Sequence, residues 1–545
     1  VTSALIDAGD SLPLTVGALL RERVAERGSA PLLVTDGETL TYADAEARSA
    51  RLARALLATD AGNGTHVGLL HPNGPAFVVG WLAAARIGAV TIPLSTFSTS
   101  YELAGLLSGA DVDILLSAQT YRSHRYEDTL QEAIEELDLA APPPLMATSV
   151  PTLRHLAFTS VSPSTDRGWS IDALVERAEL IDASVLRAAE DAVTAADRVV
   201  IVHTSGSTSA PKGVIHTHGA LIRHLDNLNQ LRRYTPDETL FSNSPFFWIG
   251  GFAYALLGTL VAGARLVCSN AADPSEVLDL LERERPTMVN GFAASVAHLP
   301  SDPSFEGRDL SSIRRGNLWP IMPPDVTPAD PELRHSMLGM TEAGSVCLVD
   351  EDESDQPEHR RGSFGRPAPG LESRVVDPDT GAPCGVDEVG ELWLRGPFLM
   401  EGYYGRERSE TFTPDGWFRT GDLVRVDADG LHYFKGRHGD MIKTSGANVS
   451  PLEVEAVIAE VTGLQAHVLG VESADRGQLV AAALVVPDGE ALTSAELDDL
   501  RRRLAARLSV YKVPKILVPM PESEVPMMSS GKLDARALRK RLADA

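Results

Sequence analysis

Between residues 65 and 330 the chain alternates two textures. Short apolar runs, HVGLLH (66–71), AVTIPL (89–94), DILLS (113–117), RLVCS (265–269) and TMVNGF (287–292), have the length and branched content of buried strands. Longer segments such as AFVVGWLAAARIG (76–88) and SEVLDLLERE (275–284) read as helices. This alternation predicts βαβ units. From 362 to 436 the pattern shortens to SRVVD, GELWLRG and LVRVDADGLHYFKG, strands broken by glycine turns, which predict a small β subdomain.

After Gly436 the texture changes again. PLEVEAVIAEV (451–461) puts Val454, Val457, Ile458 and Val461 at helical spacing, and QLVAAALVVP (478–487) reads as a strand. The stretch from Thr493 begins with a capping box, Thr493 with Glu496. The expected fold class is α/β: a large N-terminal domain of βαβ subdomains plus the β subdomain over 1–436, and a small α+β C-terminal domain over 437–545. At 545 residues, one ordinary core would not suffice.

Charge narrows the partners. A formal net charge of −26 repels polyanions, so neither nucleic acid nor an anionic membrane surface is expected, and an anionic ligand needs a local basic cluster. No apolar run reaches the length of a membrane span, about 18 residues. The opening residues VTSALIDAGDSLPL show no secretory pattern, and the ending RLADA is no peroxisomal address. Cys268, Cys347 and Cys384 form no CxxC pair, which argues for a reducing, cytoplasmic setting. APPPLMATSVP (141–151) and DEDESDQPEH (350–359) read as surface loops, and composition leaves a homodimer open.

Candidate chemistry starts at HTSGSTSAPKG (203–213), a hydroxyl- and glycine-rich loop leaving the strand-like DRVVIVH (197–203). Such a loop can turn backbone N–H groups and hydroxyls around phosphate oxygens while Lys212 adds charge. The spacing is not that of a Walker A loop. Taken alone, a solvated surface turn fits too. HTH (216–218) places two histidines on one face without an accompanying Cys, Asp or Glu cluster, which argues against zinc, and GNGTHVG (62–68) fails the dinucleotide spacing.

The loop does not stand alone. TSGSTSAPKG resembles the phosphate-binding signature of the adenylate-forming superfamily, which includes acyl-CoA synthetases, aryl-CoA ligases, firefly luciferase and peptide-synthetase adenylation domains. GMTE (339–342), GELWLRGP (390–397), WFRTGD (417–422), FKGRHGDMIKTSGANVSPLEVE (434–455) and SSGKLDAR (529–536) follow in that family's order, and NGPAFVVGWLAAARIGAVTIPL (73–94) is also like its N-terminal region. Six collinear blocks carry the resemblance across nearly the whole chain.

The resemblance implies an ATP- and Mg²⁺-dependent ligase that activates a small-molecule carboxylic acid as acyl-adenylate and passes it to coenzyme A. It implies that Thr204, Ser205, Gly206, Ser207, Thr208 and Lys212 hold the β- and γ-phosphates, that Glu342 with Thr208 binds Mg²⁺, and that Thr341 meets the α-phosphate. Asp422 would accept the ribose hydroxyls, with Arg437 beside it, and Lys532 would neutralise the α-phosphate and the substrate carboxylate. The C-terminal domain would be mobile, turning between half-reactions about Gly439, where the family usually has Asp or Lys; Lys443 flanks the hinge and Gly446 would line the pantetheine path.

Some positions depart from the family. Leu338 stands where a tyrosine usually stacks on adenine, Trp248 of PFFW replaces a histidine, Ser209 replaces a glycine, and RGNLWPIMPP (315–324) puts bulky Leu318 or Trp319 near a glycine. The expected acyl pocket is Phe247, Trp248, Gly250, Phe292, Leu338 and Gly339, with Phe246 and Phe252 close by; it suits a fatty, alicyclic or aryl acid, though simple core packing of these aromatics fits equally. An acyl-AMP ligase that loads a carrier-protein phosphopantetheine is the alternative. A luciferase-type oxygenase shares the scaffold. A nucleotide-sensing pseudoenzyme is disfavoured by the survival of Lys212, Glu342, Asp422, Arg437 and Lys532.

Overall fold

In the computed structural model of the protein the described residues are 12–159, 168–204, 211–437, 441–487, 492–527 and 533–545, without the Ala294 and Arg437 side chains. They fall into two units, the first Val1–Thr96, Leu107–His203 and Gly213–Gly436, the second Phe97–Leu106, Thr204–Lys212 and Arg437–Ala545.

Two large sheets build the first unit. One has seven strands in the order Gly402–Tyr403, Lys212–Thr217, Arg198–Thr204, Val90–Pro93, His66–Leu70, Ile114–Ala118 and His155–Thr159. From Arg198–Thr204 onward these pairings are parallel. The other has six strands, Arg315–Gly316, Met288–Asn290, Thr239–Ser242, Arg265–Val267, Pro31–Val34 and Thr39–Thr41, and is antiparallel only at its last pair. The helix Pro75–Arg86 is buried at all but one of its positions, as its nearly continuous apolar sequence requires. Its Phe77 and Trp81 meet Phe252 edge-on at 6.4 and 5.3 Å between ring centroids, each ring contributing about 1.5–3 kcal/mol by burial. Gly80 lets this helix approach closely: a Cβ there would stand 2.9 Å from Leu69 Cδ2. Where the helix ends, the buried Arg86 is paired with Glu190 and Glu46.

The glycine-punctuated region forms a four-stranded antiparallel sheet, Glu372–Val376, Val389–Arg395, Phe418–Val426 and His432–Arg437. A small three-stranded sheet, Leu338–Met340, Ser345–Val349 and Arg366–Pro367, precedes it. One element has no counterpart in the sequence reading: Gly250–Leu257 is π-helical and runs into the α-helix Gly258–Ala262. Gly251 permits it, since a Cβ there would overlap Pro245 O at 2.0 Å.

In the second unit the strands Ala447–Val449, Ile442–Thr444, Gly477–Val486 and Ala466–Ser473 form one sheet, with Ile516–Pro521 pairing parallel to Gly477–Val486. Alternation along Gly477–Val486 splits its side chains between two cores. Val480, Ala482 and Leu484 pack with Val454, Ile458, Leu500 and Leu504 from the helices Pro451–Thr462 and Ser494–Ala505, whereas Ala481 and Ala483 pack with Leu538 and Leu542 from Ala535–Ala543. The Thr493–Glu496 capping box is present, with both reciprocal bonds. No helix among the described residues is long and apolar enough to cross a membrane.

Candidate active site

The most fully specified chemistry in the first unit gathers on the hairpin from Leu338 to Val349. Its turn is a 3₁₀ segment, Thr341–Ala343, closed by Gly344 at φ +72°. The turn is held from several sides. Thr341 O accepts from Gly344 N at 2.9 Å and from His216 Nε2 at 2.6 Å, while Glu342 O accepts from Met400 N at 2.8 Å. Burial depresses His216 to about 4, so the ring is neutral at pH 7 and donates through Nε2–H.

Glu342 is 8% exposed, and its Oε1 accepts a hydrogen bond from Tyr403 Oη at 2.7 Å. Tyr403 reaches it because Gly402–Tyr403 pairs antiparallel with Val214–Ile215, on the strand that begins at Lys212. Oε2 of Glu342 accepts nothing from a described residue. A hard divalent cation takes oxygen ligands of this kind, so the carboxylate fits a Mg²⁺ ligand. Asp422, on the strand Phe418–Val426, is also buried, and its N–H donates to Thr420 Oγ1 at 3.0 Å. Burial above all, then the Asp422 and Glu342 carboxylates, push the Cys347 thiol far up, so both anions act on one buried sulfur of this hairpin. That thiol donates to Leu338 O at 3.2 Å.

The expected pocket residues divide. Phe247, Trp248 and Phe292 form an edge-to-face run with centroid spacings of 5.3 and 5.6 Å. Gly250 opens the π-helical segment, with open space where a Cβ would stand. Leu338 is buried and Gly339 exposed on the same strand. None of these six lines the cavity of about 810 Å³ that opens nearby in chain terms; Tyr254, Asn290, Ala293, Asn317, Trp319 and Met337 are among the residues that do. Of the bulky pair, Leu318 turns into the core and Trp319 lines that cavity.

The remaining expected residues are placed as follows. Thr204 ends the strand Arg198–Thr204 and Lys212 opens the next one, half-buried. Arg437 is the last residue of His432–Arg437. In the second unit, Lys443 lies exposed on Ile442–Thr444, and Gly446 sits at φ +85° after Ser445 at φ +49°, in the tight turn to Ala447–Val449. Two successive positive φ values suit a primed hairpin turn, so the backbone alone accounts for glycine at 446. Ser205, Gly206, Ser207, Thr208, Gly439 and Lys532 lie outside the described residues.

Sequence reasoning missed Tyr403 and a set of asparagines, and it weighed His216 only as a zinc ligand. Three asparagine amides each imitate a peptide group by giving and accepting one backbone bond. Asn243 donates to Phe292 O and accepts from Phe292 N at 3.0 and 2.9 Å. Asn317 does the same with Gly291 O and N at 3.0 Å each, and Asn73 with Ser244 O and Phe246 N at 2.9 and 2.8 Å. They pin the loops leaving the carboxyl ends of the six-stranded sheet, where α/β ligands bind. A signal existed for one of them: Asn73 stands two residues past the strand-like HVGLLH (66–71).

The profile described as AMP-binding enzyme matches residues 20–404. A 2-hydroxy-7-methoxy-5-methyl-1-naphthoate–CoA ligase of Streptomyces carzinostaticus is 30% identical over 541 residues, 96% of this chain and 92% of its own. The 4-coumarate–CoA ligase 3 of Oryza sativa subsp. japonica is 28% identical over 543 residues, 96% of this chain and 91% of its own. Among solved structures, the amide bond synthetase McbA of Marinactinospora thermotolerans shares the fold at a TM-score of 0.75 and 24% identity, covering 96% of this chain and 99% of that one.

Proposed function

Given that this chain belongs to the AMP-binding enzyme family, we propose that it joins a carboxylic acid to coenzyme A through an acyl-adenylate, releasing pyrophosphate and AMP. A carboxylate acylates poorly because its leaving group would be oxide. Attack of a carboxylate oxygen on the α-phosphorus of ATP forms an acyl–O–P bond and expels pyrophosphate. The thiol sulfur then attacks the acyl carbon, the acyl–oxygen bond breaks, AMP leaves, and the thiol proton passes to solvent. Both steps concentrate negative charge, so fixed donors and cations lower the barriers.

The observation that supports this reading most is the Thr341–Glu342 turn: a buried carboxylate with one oxygen held by Tyr403 and the other accepting from no described residue, on a backbone braced by His216 and Met400. Glu342, with Thr208, would hold Mg²⁺, which supplies neutralisation of phosphate charge when bound. Thr341 would donate to the α-phosphate, Lys212 would balance the β- and γ-phosphates, and Asp422 would receive the ribose hydroxyls. Residues 1–436 would bind ATP and acid, and 437–545 would carry Lys532 to the reacting carboxylate, turning about Gly439. The relatives named for coumarate and naphthoate favour an aryl acid over a fatty or alicyclic one.

The test is a panel of aryl, alicyclic and fatty acids scored for pyrophosphate and AMP release with and without coenzyme A. Acid-dependent AMP release that accelerates with coenzyme A is expected. AMP formation only with a holo carrier protein would move the acceptor to phosphopantetheine, and absence of acid-dependent pyrophosphate release would end the ligase reading.

A further inference from the structure

The cavity of about 810 Å³ is apolar in its body, with Leu228, Leu240, Tyr254, Val289, Met337 and Phe364 among its walls, yet its lining carries seven cationic side chains against five anionic ones. That is the reverse of a chain whose net charge is −26. All but one of its arginines are neutralised by a carboxylate. Arg314 and Arg315 pair with Glu238, Arg334 with Asp355, Arg361 with Asp330 and Glu358, and Arg425 with Asp387.

Arg232 is the exception. It follows the helix His218–Leu231 and is half-buried, and among the described residues no carboxylate lies within ion-pair distance. Its Nε and Nη2 donate to Asn229 Oδ1 at 3.0 and 2.7 Å, and Nη2 donates to Tyr254 O at 2.9 Å, all neutral acceptors. The guanidinium lies over the rings of Tyr254 and Tyr234 at 4.0 and 4.7 Å. Nη1 donates to no described residue. The two rings and three hydrogen bonds fix the fork in one orientation, but they do not supply a counter-charge, and an anion that does so gains a charge-assisted bond to a pre-oriented donor. The cavity also adjoins the hairpin in sequence: Met337, whose sulfur accepts from Tyr254 Oη at 3.4 Å, lies just ahead of Leu338.

We propose that this cavity selects a dicarboxylic acid, with an apolar or aromatic body and a second carboxylate that pairs with Arg232. The inference rests on the ligase reading above and names its substrate class. The N–H groups of Arg232 Nη1 donate to the far carboxylate, the apolar walls hold the body, and the near carboxylate is the one activated.

The experiment uses matched acids that differ by one carboxylate, hexanoate against adipate and 3-phenylpropanoate against its para-carboxylated counterpart. Pyrophosphate release gives kcat/KM for each, and calorimetry without ATP gives binding to the full-length protein. Wild type is expected to favour the diacid. Arg232→Gln is expected to lower diacid turnover and binding roughly 10- to 100-fold, the size of one hydrogen bond to a charged group, while the monoacid is unchanged. Arg232→Lys, which keeps the charge, should retain part of the preference and so separates lost charge from lost support of the π-helical segment. Equal preference within a pair, or equal losses for both members in Arg232→Gln, overturns the proposal. If no acid releases pyrophosphate, the ligase reading fails, and calorimetry still decides the cavity: diacid binding abolished by Arg232→Gln sustains it, whereas absent or unchanged binding overturns it.

Discussion

Removing one oxygen atom, by Tyr403→Phe, tests the reasoning about Glu342 most directly. The Tyr403 hydroxyl stands 2.7 Å from Glu342 Oε1, and the two residues are 7% and 8% exposed, so water compensates poorly for the lost donor. A phenol–carboxylate bond of this kind contributes about 1.5–3 kcal/mol, and at about 1.4 kcal/mol per factor of ten its loss corresponds to roughly a 10- to 150-fold change in how often the carboxylate is correctly aimed. If Oε2 is a magnesium ligand, that loss appears as weaker metal binding. The assay is pyrophosphate release titrated with MgCl₂ at saturating ATP and acid, with Tyr404→Phe as the control. Tyr404 donates to Asp111 at 2.7 Å in an exposed pair, where comparable removal costs little. Tyr403→Phe should raise the half-saturating Mg²⁺ concentration at least about tenfold with unchanged circular dichroism, and Tyr404→Phe should match wild type. A Tyr403→Phe enzyme with wild-type magnesium dependence would refute the argument that this hydroxyl aims a metal-binding carboxylate.

The remaining predictions probe other links. Burial lowers His216, His218 and His224 to about 4, below the roughly 6.5 of an unfolded histidine. Their contribution to stability is complete above that pH and is lost as pH falls toward 4, by up to ~1.4 kcal/mol per pH unit for each ring. Urea midpoints measured from pH 7.5 to 5 should therefore decline, and a flat profile would show that these rings do not titrate this way. Gly291→Ala places a Cβ 1.8 Å from Asn243 Oδ1 at φ +146°, so it should cost about 3 kcal/mol or more through strain and the broken Asn243–Phe292 pair. An unshifted thermal transition would contradict that. Lys532→Ala should abolish acid-dependent pyrophosphate release while thiolysis of supplied acyl-adenylate survives, and equal loss of both steps would remove the role assigned to that lysine.

Much of the architecture was legible because it depends on near neighbours in the chain. Helical spacing at Val454, Val457 and Ile458 and the continuous apolar run at 479–486 are local patterns, and the observed helix Pro451–Thr462 and strand Gly477–Val486 follow them. The Thr493–Glu496 box spans one turn, so short-range hydrogen bonding decides it. The π-helical Gly250–Leu257 shows the limit. Its sequence reads as an ordinary apolar segment, and the wider turn goes with the close approach of Gly251 to the Pro245 carbonyl, an approach that no periodicity records.

For the candidate site the division is sharper. The ordered motif blocks determined the family and which carboxylates, hydroxyls and lysines to consider, because those residue types are required wherever phosphates are bound. Which groups brace them was decided by tertiary structure alone. Tyr403 meets Glu342 across 61 residues, His216 meets Thr341 across 125, and Asn317 meets Gly291 across 26. Arg232 differs from the other arginines of its cavity in that, among the described residues, no carboxylate was brought beside it. A sequence specifies the chemistry each side chain can offer; orientation and neutralisation depend on which distant groups share a few ångströms, and only the folded chain sets that.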